Sequence, residues 1–290
     1  MQQFVTLTVN GIILGSVFAA FALTLVLIYR ATRIINFGQG AMAMFSAYLA
    51  LETIKRTDSY WLGFVVALAS GFIIGGVVER VIVRRVETGP ELNAVIVTLG
   101  VFVSFVALAS ILFGNTIEGF PAPFSVRGFE AVAITPTDIF KLIAVLIAMS
   151  LLLVLFRFTS LGLQMRAAAF GQEVARLLGV RVGQMLTLGW ALAGMFGALA
   201  GVLIASGAPI SPTYMDAVVV FGFVAAVLGG LDSFLGAVVG GLVLGLTNTY
   251  VAGYVERGSA LVTLAALAIL ITVLLLRPSG LFSSSVARKV

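Results

Sequence analysis

An all-α, polytopic bundle of membrane-spanning helices is predicted by three features of this 290-residue chain. Of its residues 61% are hydrophobic and only 10% are charged, and its mean hydropathy is +1.17. Soluble domains carry about 25% charged residues, so a chain this poor in charge belongs in lipid. Its apolar runs are mostly ~20 residues long, the length a helix needs to cross the hydrocarbon layer. They carry Leu, Val, Ala, Gly and Phe on every side, unlike the alternating ~10-residue segments of a membrane barrel.

Charged and Pro/Gly-rich breaks divide the chain into eight to nine membrane segments: 4–29, 36–51, 61–83, 94–113, 138–156, 183–204, 215–230, 233–254 and 259–276. The first has no basic residue before Arg30 and no small-residue cleavage site, so it is expected to be a retained span. The second and seventh are short and glycine-interrupted, which marks them as half-helices or re-entrant pieces whose backbone needs protein or a water-lined cavity to cover it. Between the fourth and fifth, the stretch 114–137 holds Pro121, Pro123, Gly128 and Pro136 and has little helical periodicity. It reads as an extracytoplasmic loop, either a surface for a delivery protein or a plain connector. Nothing in the composition marks a linker, so one membrane domain, 1–290, is expected.

Charge sets the orientation. With the C-terminus cytoplasmic, the inner side collects Arg30, Arg33, Arg80, Arg84, Arg85, Arg157, Arg166, Arg176, Arg181, Arg277, Arg288 and Lys289, which is 12 of the 17 basic residues. Lys55, Arg56, Arg127, Lys141 and Arg257 remain outside. An odd number of spans then puts the N-terminus outside, which is the periplasm if the membrane is a bacterial inner membrane. The net charge of +5 follows from this topology, and a nucleic-acid partner is not implied.

The chain has no cysteine and no histidine. That removes the soft and imidazole metal ligands and the commonest general base, so neither a metal site nor an enzyme is expected. No Gly-x-x-x-x-Gly-Lys-Ser/Thr phosphate loop occurs, nor a set of acidic residues within spans of the kind that relays protons. Any energy for transport must come from another subunit.

The polar segment 159–181 between two spans is the candidate entry point for that energy. Read as one helix over 162–178, it places Leu163, Ala167, Phe170, Val174 and Leu177 on one face, expected to pack on the membrane domain. The opposite face carries Met165, Ala168, Ala169, Gln172 and Arg176: small residues that admit another backbone, and a guanidinium that can pair with a carboxylate or carbonyl. Gly179 is placed as a C-cap. The pattern alone fits either a docking helix for a soluble partner or an amphipathic helix lying on headgroups.

Inside the membrane, Asn36 and Gln39 beside Gly38 and Gly40 form a polar break, suited either to contacts with a zwitterionic solute or to capping a helix. Thr98 and Asn248 are further polar candidates for a path, Asn248 because a buried amide needs partners beyond its own helix. Gly229, Gly230, Gly236, Gly240, Gly241 and Gly245 read as close-packing positions. Asp232, in a break between spans, reads as an interfacial helix cap.

Four stretches resemble one family. Gly162, Arg166, Ala167, Ala175, Leu178, Gly179 and Val180 are similar to the ATPase-contacting loop of the branched-chain amino acid ABC transporter permeases. Ile35, Asn36, Phe37, Gly38, Gln39 and Gly40 resemble that family's Asn-Phe-Ala-His-Gly turn. Leu228 to Ser233 with Gly236 to Gly241 resembles its glycine-rich helix pair, and Arg277, Pro278, Ser279, Gly280, Leu281 and Phe282 its closing motif. Gln39 stands where many members have histidine and cannot carry a proton; Gly171 replaces Asn or Asp, and Ser283 a usual Gly.

The resemblance implies an ABC importer permease of the bacterial inner membrane. Its partners would be a second homologous permease, two ABC ATPase subunits and a periplasmic amino-acid-binding protein. ATP is used by those ATPases, and no cofactor is bound by this chain. Gly162, Met165, Arg166, Ala167, Gln172, Ala175, Arg176, Leu178 and Gly179 become the coupling residues, and Asn36, Phe37, Gln39, Gly40, Thr98 and Asn248 the candidate path. Branched-chain or other hydrophobic amino acids are the expected solutes. A permease for urea, amides or other small polar solutes, or a free-standing carrier, is the alternative.

Overall fold

The computed structural model describes residues 2–87, 89–124 and 134–282; Arg127 and Gly128 of the expected loop, and Ser283, Arg288 and Lys289, lie outside the described residues. In chain order the elements are α1 (Gln2–Thr32), α2 (Gln39–Thr57), α3 (Tyr60–Val81) with a 3-10 turn (Val83–Arg85), α4 (Glu91–Phe113), β1 (Glu118–Gly119), α5 (Pro136–Phe158), α6 (Ser160–Phe170), α7 (Gln172–Leu177), α8 (Val182–Ala205), β2 (Pro209–Ile210), α9 (Asp216–Gly229), α10 (Phe234–Tyr254) and α11 (Gly258–Leu276). Each of the nine predicted segments falls on one helix. Among the described residues, seven helices are long and apolar enough to cross a membrane: α1, α3, α4, α5, α8, α10 and α11.

The two segments read as short are α2 and α9. With 14 residues, α9 rises about 21 Å, short of the ~30 Å hydrocarbon layer. It packs against α1, α10 and α11, so its ends are met by protein instead of lipid. α2 is buried along most of its length between α3, α4 and α8. Helix ends follow local chemistry. Thr135 and Asp138 form a reciprocal capping box with Pro136 in the first turn of α5, and Ser59, Thr159 and Ser233 cap α3, α6 and α10 through their hydroxyls.

Helices α1, α2 and α8 form the interior, while α3, α4, α5, α10 and α11 turn large apolar side chains outward. That inversion is expected where the solvent is hydrocarbon, and close approach then depends on small residues. A Cβ on Gly245 or Gly15 would meet the other helix's backbone where α1 crosses α10, and the same holds for Gly71 and Gly194 where α3 crosses α8. Gly229 meets Gly236, Gly240 meets Ala225 and Gly241 meets Ala19, so the glycines read as packing positions do pack, except that Gly230 ends α9 at a φ of +101°. Asp232 is not the cap it was read as: Ser233 caps α10, and Asp232 takes both oxygens to Arg33 at 2.8 and 3.0 Å.

Helix α1 runs antiparallel to α10 and α3 to α8, whereas α2 runs parallel to α4 and α8, and the loops gather at two ends. At one end Arg84 of the 3-10 turn donates to the Gly183 carbonyl at the start of α8. At the other, Tyr60 at the start of α3 meets Ser206 after α8 at 2.7 Å, Lys55 pairs with Glu118, and β1 pairs antiparallel with β2.

Candidate functional site

Segment 159–181 is not one helix. Gly171 is extended, at φ −167° and ψ 105°, and separates α6 from α7. The elbow ends at Gly179, whose φ of +81° suits the predicted C-cap, and the Val180 amide closes onto the Ala175 carbonyl at 2.9 Å.

The two faces are also the reverse of the prediction. Gly162, Met165, Ala168 and Ala175 are buried, the last three in a cluster with Val182, Met185 and Leu186 of α8. Gly162 lies on the backbone of Leu155 and Phe156 in the last turn of α5. Leu163, Phe170, Val174, Leu177 and Leu178 point away, with Phe170 93% and Leu177 88% exposed. The physical reason is that the small residues admit this chain's own helices, and the bulky stripe is left over. Of the residues expected to contact the ATPases, Arg166, Arg176, Leu178 and Gly179 remain exposed, while Ala167 and Gln172 are half-buried. Gln172 donates to Glu87 at 2.7 Å and accepts from Arg176 at 3.3 Å.

Beneath the elbow sits an ion pair that sequence reasoning missed. The Glu79 carboxylate, in α3, is fully buried. It accepts from Arg84 Nε and Nη2 at 2.9–3.0 Å and from Thr187 Oγ1 at 2.7 Å. Arg84 Nη2 also donates to the Gly183 carbonyl at 2.6 Å. The signal available was an acidic residue within an apolar run and an arginine five positions on.

At the start of α2, the structure brings together Asn36, Phe37, Gln39, Gly40 and Thr98. Asn36 Nδ2 donates to Gln39 Oε1 at 3.0 Å, its Oδ1 accepts from the Gly38 amide, and Gln39 Nε2 donates to the Ala193 carbonyl of α8 at 2.8 Å. Thr98 Oγ1 reaches the Val95 and Ile35 carbonyls, Phe37 stacks on Phe223, and Gly40 lies against Val219 of α9. Both amides are buried and spent on the protein itself, so in this conformation the turn acts as a joint between α2, α4 and α8. Asn248 stands apart on α10, half-buried.

The opposite end of α2 opens on a cavity of about 570 Å³ that sequence reasoning also missed. Its lining includes Tyr48, Leu51, Glu52, Lys55, Arg56, Phe113 and Glu118. Tyr48 stacks on Phe113 at 5.0 Å, and its buried hydroxyl has no hydrogen-bond partner among the described residues. Charges of both signs beside an aromatic and aliphatic floor can accept a group that is zwitterionic at one end and apolar at the other.

A wall of apolar helices, a polar mouth, a buried amide joint and an elbow presenting bulky side chains outside the bundle together make the build of a membrane permease subunit. The fold agrees with a solved structure described as a metal-chelate type ABC transporter in an inward-facing conformation, at a TM-score of 0.54 and 18% identity over 95% of this chain and 88% of that one.

The chain belongs to the family of permease components of branched-chain amino acid transport systems, whose model matches residues 7–276. It is similar to the high-affinity branched-chain amino acid permease protein LivH of Escherichia coli K12, 30% identical over 303 residues, 97% of this chain and 96% of the relative. It is also similar to BraD of Pseudomonas aeruginosa PAO1, 28% identical over 304 residues with the same coverage.

Proposed function

We propose that this chain is the permease of an ATP-driven importer for branched-chain or other hydrophobic amino acids, coupled to its ATPases through the α6–α7 elbow. The observation that carries the reading is the stripe of Leu163, Phe170, Val174, Leu177 and Leu178, held outside the bundle by a helix pair whose inner face is fully packed. Large apolar patches on an otherwise finished surface mark partner sites. The arginine-rich end would face the cytoplasm of the inner membrane, which puts the elbow within reach of the ATPases and the cavity beside Tyr48 on the periplasmic side, toward a binding protein. The mixed charge and apolar floor of that cavity favour an amino acid over urea or a simple amide, and relatives named for branched-chain amino acids support the same choice.

In mechanism, closure of the ATPases on ATP pushes the elbow. The push passes through Gly162 to α5, through Met165 and Ala168 to α8, and through the Glu79–Arg84–Thr187 cluster from α8 to α3. The Asn36–Gln39 joint is the place where α2 and α8 can part, freeing two amides for the solute. The test is quantitative mass spectrometry of what co-purifies with the tagged chain from its native membrane. Two ATPases, a second permease and no other stoichiometric partner are expected in the membrane complex. A chain that purifies alone and transports without nucleotide overturns the reading in favour of a free-standing carrier.

A further inference from the structure

A groove of about 530 Å³ lies on the outside of the bundle, lined by α1, α5, α6 and α10. Its walls are apolar, with Leu23, Met149, Leu153 and Leu235 among them. Arg30 from the last turn of α1, Arg157 from the last turn of α5 and Arg166 from α6 all line it. None of the three takes part in an ion pair among the described residues, and the carboxylate after α9, Asp232, is already held by Arg33. Arg30 is fixed in place: its guanidinium sits 4.6 Å from the centre of the Phe234 ring, which packs on Phe156 at 5.2 Å.

We infer that this groove binds an anionic phospholipid, with the phosphate among the three guanidiniums and an acyl chain along the α5–α10 wall. Arg30 feels the attraction of Asp232, which Arg33 already holds, and the repulsion of Arg166 and Arg33; a phosphate would relieve the excess positive charge while matching the forked donors of arginine. The apolar walls continue from this cluster on the face of the bundle that is turned to hydrocarbon, and basic pockets between spans at the cytoplasmic side suit acidic headgroups. Charge complementarity and the apolar walls together select a lipid over an acidic loop of a soluble partner, which would leave those walls uncovered. The lipid joins α5, α6 and α10, so it steadies the root of the elbow. Only its assignment to the inner leaflet rests on the orientation proposed above; binding itself does not.

The test is native mass spectrometry of the complex released from nanodiscs of phosphatidylcholine containing graded phosphatidylglycerol. One phosphatidylglycerol retained per chain in preference to phosphatidylcholine is expected. Arg30→Gln with Arg157→Gln should weaken its retention at least tenfold. Ser150→Trp, which fills the groove and leaves all three arginines, should do the same and serves if the double variant does not fold. Equal retention of the two lipids, or unchanged phosphatidylglycerol retention in a folded variant, overturns the inference. So does a cross-link from Leu235→Cys to a second permease in the native membrane, which would make the groove a subunit interface.

Discussion

Phe170 and Met165 stand five residues apart on the same helix, yet substituting each should have opposite consequences. The Phe170 side chain is 93% exposed and supports nothing in the fold, so Phe170→Ala should change stability by no more than about 0.5 kcal/mol. If an ATPase covers that ring, docking loses the transfer free energy of a buried aromatic, about 1.5–3 kcal/mol. At about 1.4 kcal/mol per decade, association weakens roughly ten- to hundredfold. Met165 is buried among Ala168, Met185 and Leu186, so Met165→Ala should cost about 2–5 kcal/mol of stability and shift docking only through the damaged fold. The assay titrates purified ATPase subunits against permease in nanodiscs without nucleotide, with a thermal melt of each variant alongside. A raised Kd at unchanged Tm is the expected result for Phe170→Ala. An unchanged Kd would refute docking through this ring, and a lowered Tm would show that the ring packs within the chain.

Two more outcomes follow from the buried polar groups. Arg84→Ala strands the buried Glu79 carboxylate with Thr187 as its remaining partner, and breaking such a pair costs about 3–5 kcal/mol. Because Arg84 is itself partly exposed, the lower end is expected in a denaturation series, with Arg84→Lys recovering only part. Tyr48→Phe removes a buried hydroxyl that lacks a partner among the described residues, so the melting temperature should hold or rise while amino-acid uptake by the reconstituted importer falls; a lower melting temperature would show that the hydroxyl serves the fold.

The spans were legible because crossing lipid demands long apolar runs, and all nine predicted segments recur as helices. Position along the chain was therefore easier to read than direction around a helix. The 162–178 stripe was assigned inward because a soluble helix buries its bulky face. Here Gly162, Ala168 and Ala175 let α6 and α7 lie close on α5 and α8, and the bulky face remained outside. The Asn36 turn was legible as a polar break, whereas Ala193, the partner of its Gln39, lies 154 residues beyond Gln39, a separation no local pattern encodes. The cavity at Tyr48 combines residues of α2, α3 and α4 with Glu118 of β1, so it exists only once those elements have met.

The break at Gly171 divides the elbow into two helices with different neighbours. α6 packs on α5, α1 and α8, whereas α7 rests on α6 and α8 and reaches the 3-10 turn side of the bundle through Gln172 and Glu87. Under the proposed coupling, a push on Phe170 and Leu163 reaches α5, α1 and α8 through α6, and one on Leu177 and Leu178 reaches α6 and the start of α8 through α7. The Glu79–Arg84 pair links the helices that would receive those pushes, since Arg84 holds α3 to α8 through Gly183 and Thr187. Helices α3 and α8 are tied at that end, while α2 meets α8 through the Gln39 bond and through Ala43 against Gly197 and Gly201 and also packs on α3. In the proposed mechanism α3 and α8 are the pair that receives the push, and the Asn36–Gln39 turn is the polar joint at which α2 would part from α8.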